Sequence, residues 1–288
     1  MIRFEIPDSV VARPINAKLV CLMKNNPEMF YENLFIESAF GCPYGCEWNG
    51  GCLNMPCEEK SENTVNKIFD FYEKIGITYR ITFTNRLLSA GNLKNTYGNM
   101  IAKIGERKGN AIIVATDLMK NYIEKTFPKY EIIQSISRVY KTVEEVQVAL
   151  NKNMVCIPIW LNKDFEKLQI MENRQNIIIL VNEYCPVAKC EYCDEHYDEI
   201  SKYILKKTDL KYICKRIVER KEYEKSGIVP IHIVSPKDYV EYERIGIEHF
   251  KINGRASNEK QLMELYCFYF AKEQYREKIA KQLIKNNA

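Results

Sequence analysis

The chain has 288 residues, of which 46% are hydrophobic and 28% are charged, and its formal net charge is +4 at pH 7. This composition supports a folded core, and so small a charge argues against nucleic acid as a partner. No apolar run approaches the roughly 20 residues that cross a bilayer, and the charged start of the chain lacks the hydrophobic segment of a signal peptide. We therefore expect a cytoplasmic protein without a membrane partner.

Short segments rich in Ile, Val, Phe and Thr alternate with helical patterns along the chain. Such segments are typical of strands that are covered on both faces. The predicted strands are residues 34–40, 79–84, 111–115, 131–137, 155–160, 176–181, 229–234 and 249–252. The main predicted helices are residues 63–75, 118–126, 143–151 and 258 to about 283.

Eight strands that alternate with helices within about 250 residues are typical of a (β/α)8 barrel, a TIM-type fold of the α/β class. An open doubly wound sheet is the alternative, although eight units would be long for it. No linker or low-complexity segment interrupts the chain, so we predict a single domain over residues 1–288. In a barrel, the active site lies at the carboxyl ends of the strands. The cysteine-rich segments of this chain follow the first and the sixth predicted strands, which are three steps apart around the ring, so we expect the two loops to face each other over the barrel mouth.

The first of these segments is a loop of residues 41 to about 61 that follows strand 34–40. Its four cysteines are Cys42, Cys46, Cys52 and Cys57. The start of the loop resembles the radical S-adenosylmethionine signature, but Asn49 stands where that signature has its third cysteine, so we reject it. The four thiols are candidates for a second metal site, or for one ligand, from Cys42, to a site shared with the other loop. Incidental thiols in a glycine-rich lid are the remaining alternative.

The second segment follows strand 176–181 and holds Cys185, Cys190 and Cys193 within nine residues, with His196 close behind. Disulfides do not persist in a reducing cytosol, so clustered thiols there indicate a metal, the alternative being free cysteines that act as small hydrophobes. Zinc would accept the three thiolates and His196. A [4Fe-4S] cluster would take the three thiolates and a distant fourth ligand, or leave one iron open to substrate. The spacing leaves both metals open.

The other cysteines occur singly in apolar or helical surroundings, which favours buried side chains without a metal. They are Cys21, Cys156, Cys214 and Cys267.

Polar residues at the predicted strand ends complete the candidate site. Arg86 follows the second predicted strand and Arg255 the eighth, and a pair of arginines can clamp a carboxylate or phosphate. The alternative pairs each arginine with a neighbouring acid. Glu183 stands between strand 176–181 and the cysteines. We take Arg86, Glu183 and Arg255 as candidate catalytic residues, acting on an anionic small molecule.

One stretch of the chain resembles a known family. The run Phe250-Lys251-Ile252-Asn253-Gly254-Arg255 and the residues before it, from 234, are similar to the end of the collagenase-like peptidase family of unassigned mechanism. In that family, a strand of the form F-K-I-x-G-R precedes a long terminal helix. Residues 182–196 resemble the family's cysteine-bearing segment, and 113–130 share its character. The resemblance covers roughly residues 110–280.

Members of this family include hydroxylases of ubiquinone synthesis and of RNA that carry a [4Fe-4S] cluster on four cysteines. They hydroxylate without dioxygen, with prephenate thought to be the oxygen donor, and the ubiquinone enzymes act as heterodimers. The resemblance therefore implies cluster ligation by Cys185, Cys190 and Cys193, oxygen-independent hydroxylation or related redox chemistry, and a protein partner. Cluster-dependent sulfur transfer, a zinc-stabilised binding or partner subunit, and a collagenase-like peptidase are the alternative functions.

Overall fold

The computed structural model describes residues 1–51, 58–183, 185, 189–206, 215 and 230–284. Its parallel strands form a closed barrel in sequence order, which confirms the predicted (β/α)8 fold. The strands are β1 (Ile2–Pro7), β2 (Leu34–Gly41), β3 (Thr78–Phe83), β4 (Ala111–Val114), β5 (Glu131–Gln134), β6 (Met154–Cys156), β7 (Ile177–Leu180) and β8 (His249–Lys251).

Helices alternate with these strands, and most of them cover the outside of the barrel. Those described are α1 (Ala12–Asn25), α2 (Glu62–Lys74), α3 (Thr96–Gly105), α4 (Asp117–Thr126), α5 (Val143–Leu150), α6 (Phe165–Ile170), α7 (Cys193–Lys206), α8 (Tyr239–Arg244), α9 (Glu259–Phe270) and α10 (Arg276–Ile284). Side-chain caps explain several helix starts: Ser61 accepts from the amide of Thr64, and Thr142 accepts from that of Glu145. Gly76, just after α2, has φ +81, which suits the turn that ends a helix.

The strand count is eight, but one predicted strand was wrong and one real strand was missed. The described part of 229–234 contains no strand, although the amide of Val234 donates to Val181 O, directly after β7. The missed strand is β1, whose alternating apolar and charged residues do not form the continuous apolar run expected of a buried strand. Consequently the first cysteine loop follows β2 rather than the first strand, and the second follows β7.

The interior of the barrel, which we call the lumen, is apolar on one side and charged on the other. The apolar cluster is formed by alternate residues of β4 to β7 together with Phe40, Ile159 and neighbouring side chains: Ala111, Ile113, Ile133, Met154, Cys156, Ile178 and Leu180. The charged side belongs to β1, β2, β3 and β8. Its four principal members are Glu5, Glu37, Arg80 and Lys251.

The predicted terminal helix is present but is interrupted. It ends at Phe270, where Ala271 adopts an extended backbone and forms an antiparallel bridge to Phe30. The amide of Lys272 donates to Met29 O, so pairing with residues 29–31 replaces helical hydrogen bonds at this point. A second helix, α10, then begins at Arg276.

Candidate active site

The two cysteine loops leave the barrel at its carboxyl end, which we call the mouth. Around the ring, β2 and β7 are separated by β1 and β8, so three steps lie between them, as the sequence predicted. In the β2 loop, Cys42 and Cys46 are buried and their side chains are hydrogen-bonded to each other. Burial raises the pKa of Cys42 well above its usual value, and Cys46 adds to that shift. These two thiols therefore form a close pair. Cys52 and Cys57 lie outside the described residues.

Trp48 holds the β2 loop against the neighbouring strand end. Its ring is fully buried, packs edge-on against Phe83 at 5.0 Å, and donates from Nε1 to Asn92 O at 2.9 Å. Next to it, Gly50 lies so close to β3 that an added Cβ would stand 2.5 Å from Thr84 O. A side chain there would collide with backbone, so glycine allows the loop to run along the rim of the barrel.

The β7 loop brings its three cysteines into one neighbourhood. Cys185 packs against the apolar cluster of the lumen, and Cys190 is hydrogen-bonded to Cys193 through their side chains. Burial, followed by the proximity of Cys190 and of Cys185, raises the pKa of Cys193 to about 12. Glu183 fixes the start of the loop, because its Oε1 accepts from Cys185 N at 3.3 Å and its Oε2 from Asn253 Nδ2 at 3.2 Å.

Helix α7 begins at Cys193 and lies across the mouth. β7, which precedes it, stands diametrically opposite β3 in the ring, yet Ser201 Oγ accepts from the amide of Arg86, just after β3. Ser201 O also accepts from Asn85 Nδ2 at 3.1 Å, and Ser201 is fully buried. His196, predicted as a metal ligand, lies in the first turns of α7 with its ring edge-on to Tyr197 at 5.4 Å.

The two candidate arginines have different surroundings. Arg86 forms ion pairs with Asp194 at 2.7 Å and with Asp198 at 3.1 Å, both on α7. Arg255 forms no ion pair with any described residue, and its Nη1 donates to Thr82 Oγ1 at 3.1 Å. The ion-pair alternative therefore describes the contacts of Arg86. Arg255 keeps a charge that no carboxylate of the described chain neutralises.

Sequence reasoning missed the charged side of the lumen, directly below these loops. Lys251 is buried, with Nζ 2.8 Å from Glu5 Oε2 and 3.6 Å from the centre of the Phe40 ring. Burial lowers the pKa of Lys251, and the Glu5 carboxylate opposes that shift. The available signal was the charge that alternates with apolar residues in β1 and β8, which is unexpected for strands buried on both faces.

The described cysteines of the two loops thus form two groups, Cys42 with Cys46, and Cys185 with Cys190 and Cys193. Among the described residues, no three side chains of His, Cys, Asp or Glu converge closely enough to hold one metal ion. The donor chemistry of the β7 group nevertheless suits a metal. A thiol whose pKa is raised by burial and by neighbouring thiols, as at Cys193, is the expected metal-free state of a thiolate ligand, because a bound cation would oppose that shift. Ligation by these residues stays a prediction, as does a ligand from Cys42.

The isolated cysteines differ in burial. Cys156 and Cys267 are buried as predicted, whereas Cys21 is exposed on α1, so the prediction for it was wrong. Cys214 lies outside the described residues.

No protein-family model matches the chain, and no curated protein matches it in sequence. Among solved structures it is similar to the U32 peptidase Mk0906, with a TM-score of 0.55 and 12% identity over 88% of this chain and 93% of that one. At this identity the likeness shows a shared fold alone. CutC of Streptococcus agalactiae, a chain assigned by name to copper homeostasis, aligns over 89% of this chain and all of its own at 12% identity, but its TM-score of 0.34 is too low to support an argument. In the described residues, no helix has the length and apolar character needed to span a membrane.

Proposed function

We propose that this chain is an iron–sulfur enzyme of the cytoplasm that performs oxygen-independent hydroxylation, or related redox chemistry, on an anionic small molecule. One observation carries the proposal: the three thiols of the β7 loop share one neighbourhood at the barrel mouth, with Cys185 packed against the apolar cluster of the lumen. That is the position at which barrel enzymes hold their reactive groups.

Cys185, Cys190 and Cys193 would hold the cluster, with a fourth ligand from Cys42 or an open iron. The bound cluster would supply Lewis acidity and electron transfer. The chain's own residues exclude water and position the substrate. Helix α7 covers the mouth, and Glu183 fixes the loop through the amide of Cys185.

Hydroxylation without dioxygen needs a second organic substrate as oxygen donor. The acceptor C–H becomes C–OH and loses two electrons, while the donor gives up one oxygen atom and gains those two electrons. The net reaction then balances without an external oxidant. The ubiquinone enzymes of the family that this chain resembles act as heterodimers. Inactivity of this chain alone would therefore support a protein partner.

The test is an anaerobic purification followed by analysis of iron, zinc and acid-labile sulfide. We expect a brown protein with about four irons and a matching amount of sulfide per chain, and absorbance at about 400 nm from charge transfer between thiolate and iron. Colourless protein that holds stoichiometric zinc would instead support the zinc-stabilised subunit.

Sulfur transfer is a second candidate because Cys42 and Cys46 form a buried thiol pair at the same mouth. Labile sulfide in excess of iron after reconstitution would favour it over hydroxylation. Peptidase activity is a third candidate, suggested by the name of the structural neighbour. Hydrolysis of gelatin that survives removal of the β7 cysteines would favour it.

A further inference from the structure

We propose that Arg255 binds the carboxylate group of a small monocarboxylic acid at the barrel mouth. This site rests on the proposed function and adds to it the class of the anionic substrate and the residue that binds it. It rests on four described residues that converge on this point: Arg255, Lys251, Phe40 and Thr82.

Two cations of the β8 region contact the same aromatic ring. Lys251 Nζ stands 3.6 Å from the centre of the Phe40 ring, and Arg255 Cζ stands 5.5 Å from it. Phe40 is only 3% exposed, so the ring is a fixed wall rather than a mobile surface side chain. The guanidinium of Arg255 is half-buried against this wall at the rim of the lumen.

The hydrogen bonds of Arg255 leave one complete edge of the guanidinium available. Nη1 donates to Thr82 Oγ1 at 3.1 Å, and Thr82 in turn donates to Asn49 Oδ1 at 3.0 Å, which fixes the direction of the chain of hydrogen bonds. Nε is buried and has no partner in the described structure. The N–H groups of Nε and Nη2 point the same way, and that edge is the fork that receives a carboxylate bidentately.

The charge balance around the site points to a single negative charge. In the lumen, the carboxylates of Glu5 and Glu37 face the cations Arg80 and Lys251. Arg3, which also pairs with Glu37, has Glu248 as a second partner, so these charges neutralise one another. Arg255 adds one cation that no described carboxylate matches. A monocarboxylate balances that charge, whereas a phosphate dianion would exceed it.

The test uses the full chain and propionate as the probe, with inorganic phosphate for comparison. Phenylglyoxal modifies accessible arginines, and mass spectrometry measures its rate at each site. We expect propionate to slow modification of Arg255 and to leave that of Arg244 unchanged, because Arg244 is exposed on α8 and paired with Glu241. This readout needs no variant, so it stands even if a substitution at Arg255 impairs folding.

Variants measure the same contact by ligand-observed NMR titration. Arg255→Gln should weaken propionate binding about tenfold or more, because two hydrogen bonds to a charged group are lost. Arg255→Lys keeps the charge but loses the fork, so we expect an intermediate affinity. Arg244→Gln makes the same change of net charge far from the mouth and should bind like the unaltered chain.

Absence of propionate protection, equal binding by Arg255→Gln, or an equal loss in Arg244→Gln would each overturn the proposal. Phosphate binding as tight as propionate binding would overturn the assignment to a carboxylate. Iron content, measured on the same samples, separates the two proposals. Propionate binding in a chain without iron leaves this site standing and contradicts the cluster, whereas iron without protection of Arg255 does the reverse.

Discussion

The lumen and the mouth of the barrel are built from the same strands, yet among the described residues polar groups are paired in the lumen and partly unpaired at the mouth. In the lumen, Glu5 forms ion pairs with Arg80 and Lys251. Glu37 contacts Arg80, Arg3 and His249, so each buried charge has a counter-charge. At the mouth, one edge of the Arg255 guanidinium has no partner in the described structure, and burial and neighbouring thiols disfavour ionisation of Cys193.

Desolvated charges persist in a protein only when geometry and partners compensate them. The lumen meets that condition within the described chain, and the mouth does not. The charged residues below the loops therefore hold the barrel together, while the groups left uncompensated above them are the ones available to a ligand or a metal.

The largest effect is expected at the β7 thiols. Cys190→Ala and Cys193→Ala should each lose most of the bound metal, because few bonds share its binding energy. The melting temperature should barely change, since a barrel of this size does not need a metal for its core. Metal analysis and a thermal melt of each variant check this, with the exposed Cys21→Ala as the matched control.

A further set of variants tests the β2 loop. If Cys42 supplies the fourth ligand, Cys42→Ala should lose more metal than Cys46→Ala. The single-site view is contradicted if alanine substitution at each of the four loop cysteines removes about half of the iron, because the chain then holds two clusters. These cysteines are Cys42, Cys46, Cys52 and Cys57.

In the lumen, the same logic predicts a loss of stability rather than of metal. Glu5→Gln leaves Arg80 and Lys251 buried without their shared carboxylate, which should cost about 3–5 kcal/mol of unfolding free energy. Urea denaturation measures it, and metal content per folded chain should be unchanged. A cost below about 1 kcal/mol would mean that the lumen tolerates unpaired charge and that the division between lumen and mouth is wrong.

Acid should reveal the lumen network as well. Burial raises the pKa of Glu37, but the interactions with His249 and Arg80 outweigh it and bring the pKa down from 4.5 to about 2. A carboxyl whose pKa is lowered on folding stabilises the protein above its unfolded pKa, and that contribution is lost as the pH falls. We expect a loss of about 3 kcal/mol between about pH 4.5 and pH 2. Glu37→Gln should flatten this part of the stability–pH curve; an unchanged curve would assign the acid sensitivity to other carboxyls.

The smallest effect is expected at the contact between Arg86 and α7. Arg86→Gln removes the ion pairs to Asp194 and Asp198, which are partly exposed, so global stability should fall by about 1 kcal/mol or less. Amide hydrogen exchange in α7 should nevertheless quicken, because these pairs connect the helix to the β3 end. Lys202→Gln, which removes an ion pair within α7 itself, is the control and should leave exchange near β3 unchanged.

Much of the fold could be read from the sequence because β-branched runs such as those of β4 and β7 contain their own strand signal. The three-step separation of the cysteine loops was also predicted correctly, because two errors cancelled. The missed strand β1 and the wrongly predicted strand 229–234 both belong to the part of the ring between the two loops. The pairing of Glu5 with Lys251 could not be predicted, because the two residues are 246 positions apart and each alone resembles a surface charge. The course of α7 across the mouth was likewise missed, because periodicity gives a helix but not its direction.

The barrel closes where β1 meets β8, and this seam joins the first residues of the chain to residues 249–251. During synthesis, β1 to β7 are available for pairing long before β8 is made. Until then, the edges formed by β1 and β7 stay unpaired. Open strand edges are templates for association with other chains, and the Glu5 carboxylate stays without Lys251 until the last strand arrives. Fragments that stop before residue 249 should therefore aggregate rather than fold, and a chaperone that shields nascent edges would be most needed just before closure.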